Sequence, residues 1–177
     1  MKILFICTHN RCRSILSEAI TNQIGRGIIE ARSAGSQPVG EVHPLSVTYL
    51  EESGYSTAGL QSQSWDEFEG FSADVVITVC DSAAGETCPV WFGNSVKVHW
   101  GLSDPSKESG TTEEIRTAFL SCIRIIEERA KQLLTIAEKA GDTEALRKAF
   151  TDLGVQHAAS AEALSKRVNQ KSIQDIE

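Results

Sequence analysis

The chain has 177 residues, enough for one domain with its own core plus an appendage. Its formal net charge of −7 argues against nucleic acid or an acidic membrane surface as the main partner, since both select a basic face. No run approaches the ~18 apolar residues of a membrane span, and the start, "MKILFICTHN", has no small-residue cleavage site, so the sequence predicts a soluble, cytoplasmic protein. Five cysteines in that compartment point to catalysis, metal binding or redox switching rather than to static disulfides.

Lys2 to Cys7 (KILFIC) reads as a central strand buried on both faces. Ser14 to Gly25 has helical spacing through Ile15, Ala19 and Ile24, with Gly25 suited to the position after the helix. Ile29 to Ser33 predicts a short strand, and His43 to Ser53 a helix ended near Gly54. Residues 56–70 read as loop with one helical turn around Trp65–Phe68. Asp74 to Val79 and Ser95 to Trp100 are two further strands. Thr111 to Ala140 is a long amphipathic helix, opened by a Thr111/Glu114 capping box and carrying Ile115, Phe119, Cys122 and Ile126 on one face. Strands alternating with helices imply an α/β three-layer sandwich around a parallel four-stranded sheet. Residues 142–177 break the pattern. Leu146, Phe150 and Leu153 make one helical stripe, and Leu164 and Val168 suggest another. The chain therefore divides into a catalytic domain, 1–141, and a helical C-terminal appendage, 142–177.

The chemistry starts in "CTHNRCRS", Cys7 to Ser14, between the first strand and the first helix. Backbone N–H groups converge in such a loop, and with the helix dipole they suit a tetrahedral oxyanion. Thr8, His9, Asn10, Arg11, Cys12, Arg13 and Ser14 are the predicted oxyanion-binding residues. Arg13 adds a planar fork for two oxygens of one anion. The positive surroundings predict a lowered pKa and a nucleophilic thiolate at Cys7. Ser14 can donate to that sulfur, and Asn10 tolerates the unusual backbone angles of a tight loop. The competing view is a small buried cysteine ending a strand, with Arg13 on a helix surface. The loop lacks the glycines and lysine of a Walker loop. Asp104, in "HWGLSDPS", sits before Pro105 on a rigid turn beyond a strand, where an acid faces the ligand crevice and can protonate a leaving oxygen.

Cys7 to Ser14, the late Asp104-Pro105 and "SAGS" at 33–36 together resemble the low-molecular-weight phosphotyrosine phosphatase fold over residues 1–138. That family has two branches, the phosphatases and the arsenate reductases recycled by thioredoxin. "VVITVCDSAAGETCPVWFG", residues 75–93, separates them. Phosphoester hydrolysis uses one thiolate and an acid. Reducing arsenate to arsenite draws two electrons from the protein, hence a relay of thiols. The resemblance implies that Cys7 attacks arsenic while Asp104 helps oxygen leave. Cys80 then attacks Cys7 and releases arsenite, and Cys88 attacks Cys80. It implies arsenic detoxification, no bound cofactor, and an external thiol reductant, either thioredoxin or glutathione with glutaredoxin. Protein-tyrosine phosphatase is the alternative function, and a redox sensor or arsenic-responsive module using Cys80 and Cys88 is a third. "DSAAGET", 81–87, is small and Gly-containing, as a remodelable segment needs.

The Cys80–Cys88 spacing is one residue longer than in potassium-sensitive members of the family. Those members bind a monovalent cation through residues matching Asn10, Glu18 and Ser33; the further acidic ligand is replaced around Ser64–Trp65, so no metal is assigned. A zinc site from Cys80, Cys88 and His99 fits no familiar ligand spacing. Cys12 and Cys122 read as core residues, Trp65, Trp91 and Trp100 as packing residues, and His9 and Arg11 as loop residues around Cys7. His43, His99 and His157 have no partner readable from sequence.

Overall fold

The computed structural model describes residues 1–87, 89–93, 95–139 and 144–152. Four parallel strands form the sheet: β1 (Lys2–Cys7), β2 (Glu30–Gly35), β3 (Val75–Thr78) and β4 (Val96–His99), in spatial order β2-β1-β3-β4. Helices α1 (Arg13–Ile24), α2 (Pro44–Glu52), the short α3 (Asp81–Ala84) and the long α4 (Thr112–Lys139) alternate with them. This is the α/β parallel sheet expected. β1 is buried at every position from Ile3 to Cys7, as a strand covered on both faces must be. β4 alternates, with Val96 and Val98 inward and Lys97 and His99 outward, the pattern of an edge strand with one wet face.

β2 continues two residues past the expected Ser33, because its parallel register with β1 runs on until Gly35 lies opposite Cys7. Residues Trp65–Phe71 form a 3-10 helix of two turns rather than one turn in a loop, capped by Ser64 and Glu67. The capping box of α4 forms as the sequence predicts: Thr111 N–H donates to Glu114 at 2.7 Å and Glu114 N–H to Thr111 Oγ1 at 3.3 Å. Phe119, Cys122, Ile126 and Leu133 are buried along its apolar stripe, while Ile115 is only partly so. α1 packs on α4 and against β1 and β2.

Residues 144–152 are helical, and Phe150 is fully buried in the same core as Ile126 and Leu133. The rest of the expected appendage, with Leu153, Leu164 and Val168, lies outside the described residues. No described helix is long and apolar enough to cross a membrane.

Candidate active site

β1 delivers Cys7 to the carboxyl end of the sheet, and α1 begins six residues later at Arg13. Between them the chain turns through Asn10, which adopts φ 44°. Asparagine tolerates that left-handed conformation better than most residues. Asn10 is fully buried and uses its whole amide. Its Nδ2 donates to Ser14 Oγ and to Ser33 Oγ, both at 2.9 Å, and its Oδ1 accepts Gln63 N–H at 2.8 Å. Ser33 in turn donates to Glu18 at 2.6 Å. The loop also lies directly over Gly35, where a Cβ would meet the Thr8 carbonyl oxygen at 2.6 Å. Glycine there is a requirement of close approach.

Cys7 Sγ sits 3.0 Å from Ser14 Oγ and accepts Asn10 N–H at 3.2 Å. Ser14 Oγ already accepts a proton from Asn10, so its own proton is free to point at the sulfur. The expected lowering of the Cys7 pKa is not found. Burial pushes the thiol up, more strongly than Ser14 and the Asn10 N–H pull it down. Arg13 lines the same cavity but is engaged elsewhere. Its Nη1 donates to the Leu102 carbonyl at 2.9 Å and its Nη2 pairs with Asp104 at 2.8 Å. The other Asp104 oxygen accepts Ser106 N–H at 3.1 Å and Ser106 Oγ–H at 2.7 Å. The expected anion fork and the expected acid thus hold each other.

Cys80 completes the group. Cys7, Arg13, Cys80 and Asp104 all line one cavity of about 310 Å³, with Thr8, His9, Arg11 and Cys12 on its wall. Cys80 is buried, caps α3 by accepting Ala83 N–H at 3.4 Å, and lies 3.8 Å from Thr8 Oγ1. Cys7, Cys12, Cys80 and Cys122 are free thiols. Cys88 lies outside the described residues, as does the side chain of Trp91. Cys12 and Cys122 are buried, and burial raises both thiols to about 12. That matches their reading as inert core residues.

Two histidines have partners that sequence did not reveal. His99 reaches Thr78 Oγ1 at 2.9 Å and Asp81 at 3.1 Å across the outer face of the edge strand. His43 caps α2 by accepting Leu45 N–H. His157 lies outside the described residues. Among the described residues no three His, Cys, Asp or Glu side chains group as metal ligands. Asn10, Ser33 and Glu18, the residues matching the family's cation ligands, hydrogen-bond one another here, and burial raises the Glu18 carboxyl to about 7. Glu86 was missed altogether: it accepts the Thr8 hydroxyl proton at 3.2 Å. Its separation of 78 residues from Thr8 leaves no local signal.

Comparison with known proteins fits this geometry. The family described as low molecular weight phosphotyrosine protein phosphatase matches residues 2–150. An arsenate reductase of Halalkalibacterium halodurans is 35% identical over 136 residues, 77% of this chain and 94% of the relative. A glutaredoxin arsenate reductase of Synechocystis is 32% identical over 108 residues, 61% of this chain and 81% of the relative. Among solved structures, an arsenate reductase in its phosphate-binding state superposes with a TM-score of 0.63 at 30% identity, covering 76% of this chain and 96% of that one.

Proposed function

The chain belongs to the low molecular weight phosphotyrosine protein phosphatase family, and from that premise we propose that it is an arsenate reductase serving arsenic detoxification. The observation that carries the reading is the second buried thiol: Cys80 lines the same cavity as Cys7. A hydrolase has no use for it, whereas a two-electron reduction consumes two thiols.

In the proposed sequence an arsenate enters the cavity and draws Arg13 from Asp104 onto two of its oxygens. The Ser14 proton and the Asn10 N–H stabilise the Cys7 thiolate. The Asp104 carboxylate that Arg13 releases takes the Cys7 proton, Cys7 Sγ attacks arsenic, a sulfur–arsenic bond forms, an arsenic–oxygen bond breaks, and the departing hydroxyl leaves as water with that proton from Asp104. Cys80 then attacks Cys7 Sγ. The sulfur–sulfur bond forms, the sulfur–arsenic bond breaks, and its electron pair stays on arsenic, which leaves as arsenite. Cys88 attacks Cys80 and moves the disulfide to Cys80–Cys88, which an external dithiol reduces. Thioredoxin and glutaredoxin with glutathione are the two reductants to compare; the name of the Synechocystis relative favours trying glutaredoxin first. The catalytic unit is proposed as 1–141, with 142–177 as an appendage held to it through Phe150.

The test is arsenate-dependent NADPH oxidation with each reductant system and its reductase, comparing wild type with Cys88→Ser. Steady turnover in wild type and a single turnover in Cys88→Ser is the expected result. No turnover with either system overturns the reading. Phosphotyrosine hydrolysis draws on Cys7, Arg13 and Asp104 too, and Cys80→Ser separates the two activities: it stops arsenite release and leaves phosphoester turnover.

A further inference from the structure

Glu86 lies between the two later cysteines and takes no part in the reaction described so far. Its contacts have a direction. The Thr8 hydroxyl donates to Glu86 Oε1 at 3.2 Å, and Thr8 Oγ1 is 3.8 Å from Cys80 Sγ. A hydroxyl has one proton. With that proton on Glu86, Thr8 meets Cys80 as an acceptor, so the chain runs from the Cys80 S–H through Thr8 to the carboxylate. The Ala83 N–H on Cys80 Sγ is a donor and cannot take a proton. Asp104 makes no hydrogen bond to Cys80 or Thr8 among the described residues; its bonds go to Arg13 and Ser106. Glu86 Oε2, by contrast, is buried with no hydrogen-bond partner among the described residues. The hydrogen-bond chain from Cys80 through Thr8 thus ends on a carboxylate, an acceptor for the proton.

We propose that Glu86, acting through the Thr8 hydroxyl, takes up the proton of the Cys80 thiol as Cys80 attacks the arsenic-bearing Cys7. The inference rests on the reductase reading. In this step the Cys80 proton passes to Thr8 Oγ1 while the Thr8 proton passes to Glu86. The Cys80–Cys7 bond forms, the bond from Cys7 to arsenic breaks, and arsenic leaves with the electron pair, reduced from the +5 to the +3 state. Two thiols are oxidised to one disulfide, which balances the two electrons. Glu86 is thus a positioning residue for proton transfer, and it belongs to the second step alone.

The test uses the full, reduced chain and one equivalent of arsenate without external reductant, reading arsenite released in a single turnover for wild type, Glu86→Gln and Glu86→Ala. Arsenate protection of Cys7 against iodoacetamide is read in parallel, reporting an intact pocket. Glutamine keeps an acceptor oxygen for Thr8 but cannot take the proton. Both variants are expected to release arsenite about 100-fold more slowly, a typical loss for a proton-transfer group, with protection constants unchanged. Wild-type release by Glu86→Gln overturns the proposal, even if Glu86→Ala is slow, because Glu86 then only holds the segment in place. A wild-type chain that releases no arsenite overturns the reductase reading itself, an outcome distinct from failure of the variants alone.

Discussion

The loop from Cys7 to Ser14 and the segment from Cys80 to Thr87 both begin at a buried cysteine after a strand, yet they are built oppositely. The first is tied from below by Asn10, Ser14, Ser33 and Glu18, all buried. The second has a single helical turn, of which only Ala83 is buried, and an exposed Asp81–His99 contact. Local opening is cheapest where few apolar contacts and few buried hydrogen bonds resist it. On the proposed reading, the first region holds an anion in fixed geometry, and the second lets Cys80 leave Cys7 for a second partner, which needs the paired Cα atoms within roughly 7 Å.

Two glycines, Gly35 beneath the loop and Gly85 within the segment, test this contrast. Gly35→Ala puts a Cβ 2.6 Å from the Thr8 backbone oxygen, so the loop must shift. Arsenate protection of Cys7 is expected to weaken at least ~100-fold, and stability to fall by roughly 1–3 kcal/mol as in other overpacked sites. Alkylation kinetics and denaturant melts check this.

Glu18→Gln gives an effect of comparable size, read through pH. Burial raises the Glu18 pKa from 4.5 to about 7. A raised acid contributes stability in full below pH 4.5 and loses it as pH rises through 7. The loss is roughly 3 kcal/mol, and it is absent in the glutamine variant. Urea midpoints from pH 5 to 8 read it directly. Gly85→Ala is the smallest: the nearest atom to its Cβ is 3.6 Å away, and a surface change of this kind shifts stability by under about 0.5 kcal/mol. A large loss there would show this segment to be as tightly packed as the loop. Hydrogen exchange supplies the same comparison without mutation, with amides of residues 81–87 exchanging before those of Asn10 and Gly35.

The same division explains what the sequence made legible. Cys7, Asn10, Arg13 and Ser14 lie within eight positions, so their chemistry can be read from spacing. The existence of the four strands and of α4 follows from apolar patterns that local propensity and burial both favour. The Arg13–Asp104 pair spans 91 positions and the Thr8–Glu86 bond 78, and no local pattern encodes either. The direction of the Cys7 shift was misread for a related reason. Helix dipole and arginine are visible in a motif, while desolvation depends on everything packed around the thiol. β2 was cut short at Ser33 because its last residues, Ala34 and Gly35, are weak strand formers held by pairing with β1.

On the proposed reading, the Arg13–Asp104 pair has a consequence for what the pocket admits. An anion site in a cell meets chloride, bicarbonate and carboxylates. Here the guanidinium already carries a carboxylate on the same chain, at the millimolar-or-higher effective concentration of a tethered ligand. An entering ion must outcompete that resident. A small monoanion offers one charge against one and cannot span the fork. A tetrahedral dianion offers two oxygens to Arg13 and others to the loop, and frees Asp104 in the act of displacing it. Selectivity is thereby set by exchange rather than by shape alone, and arming the acid coincides with arrival of the right guest.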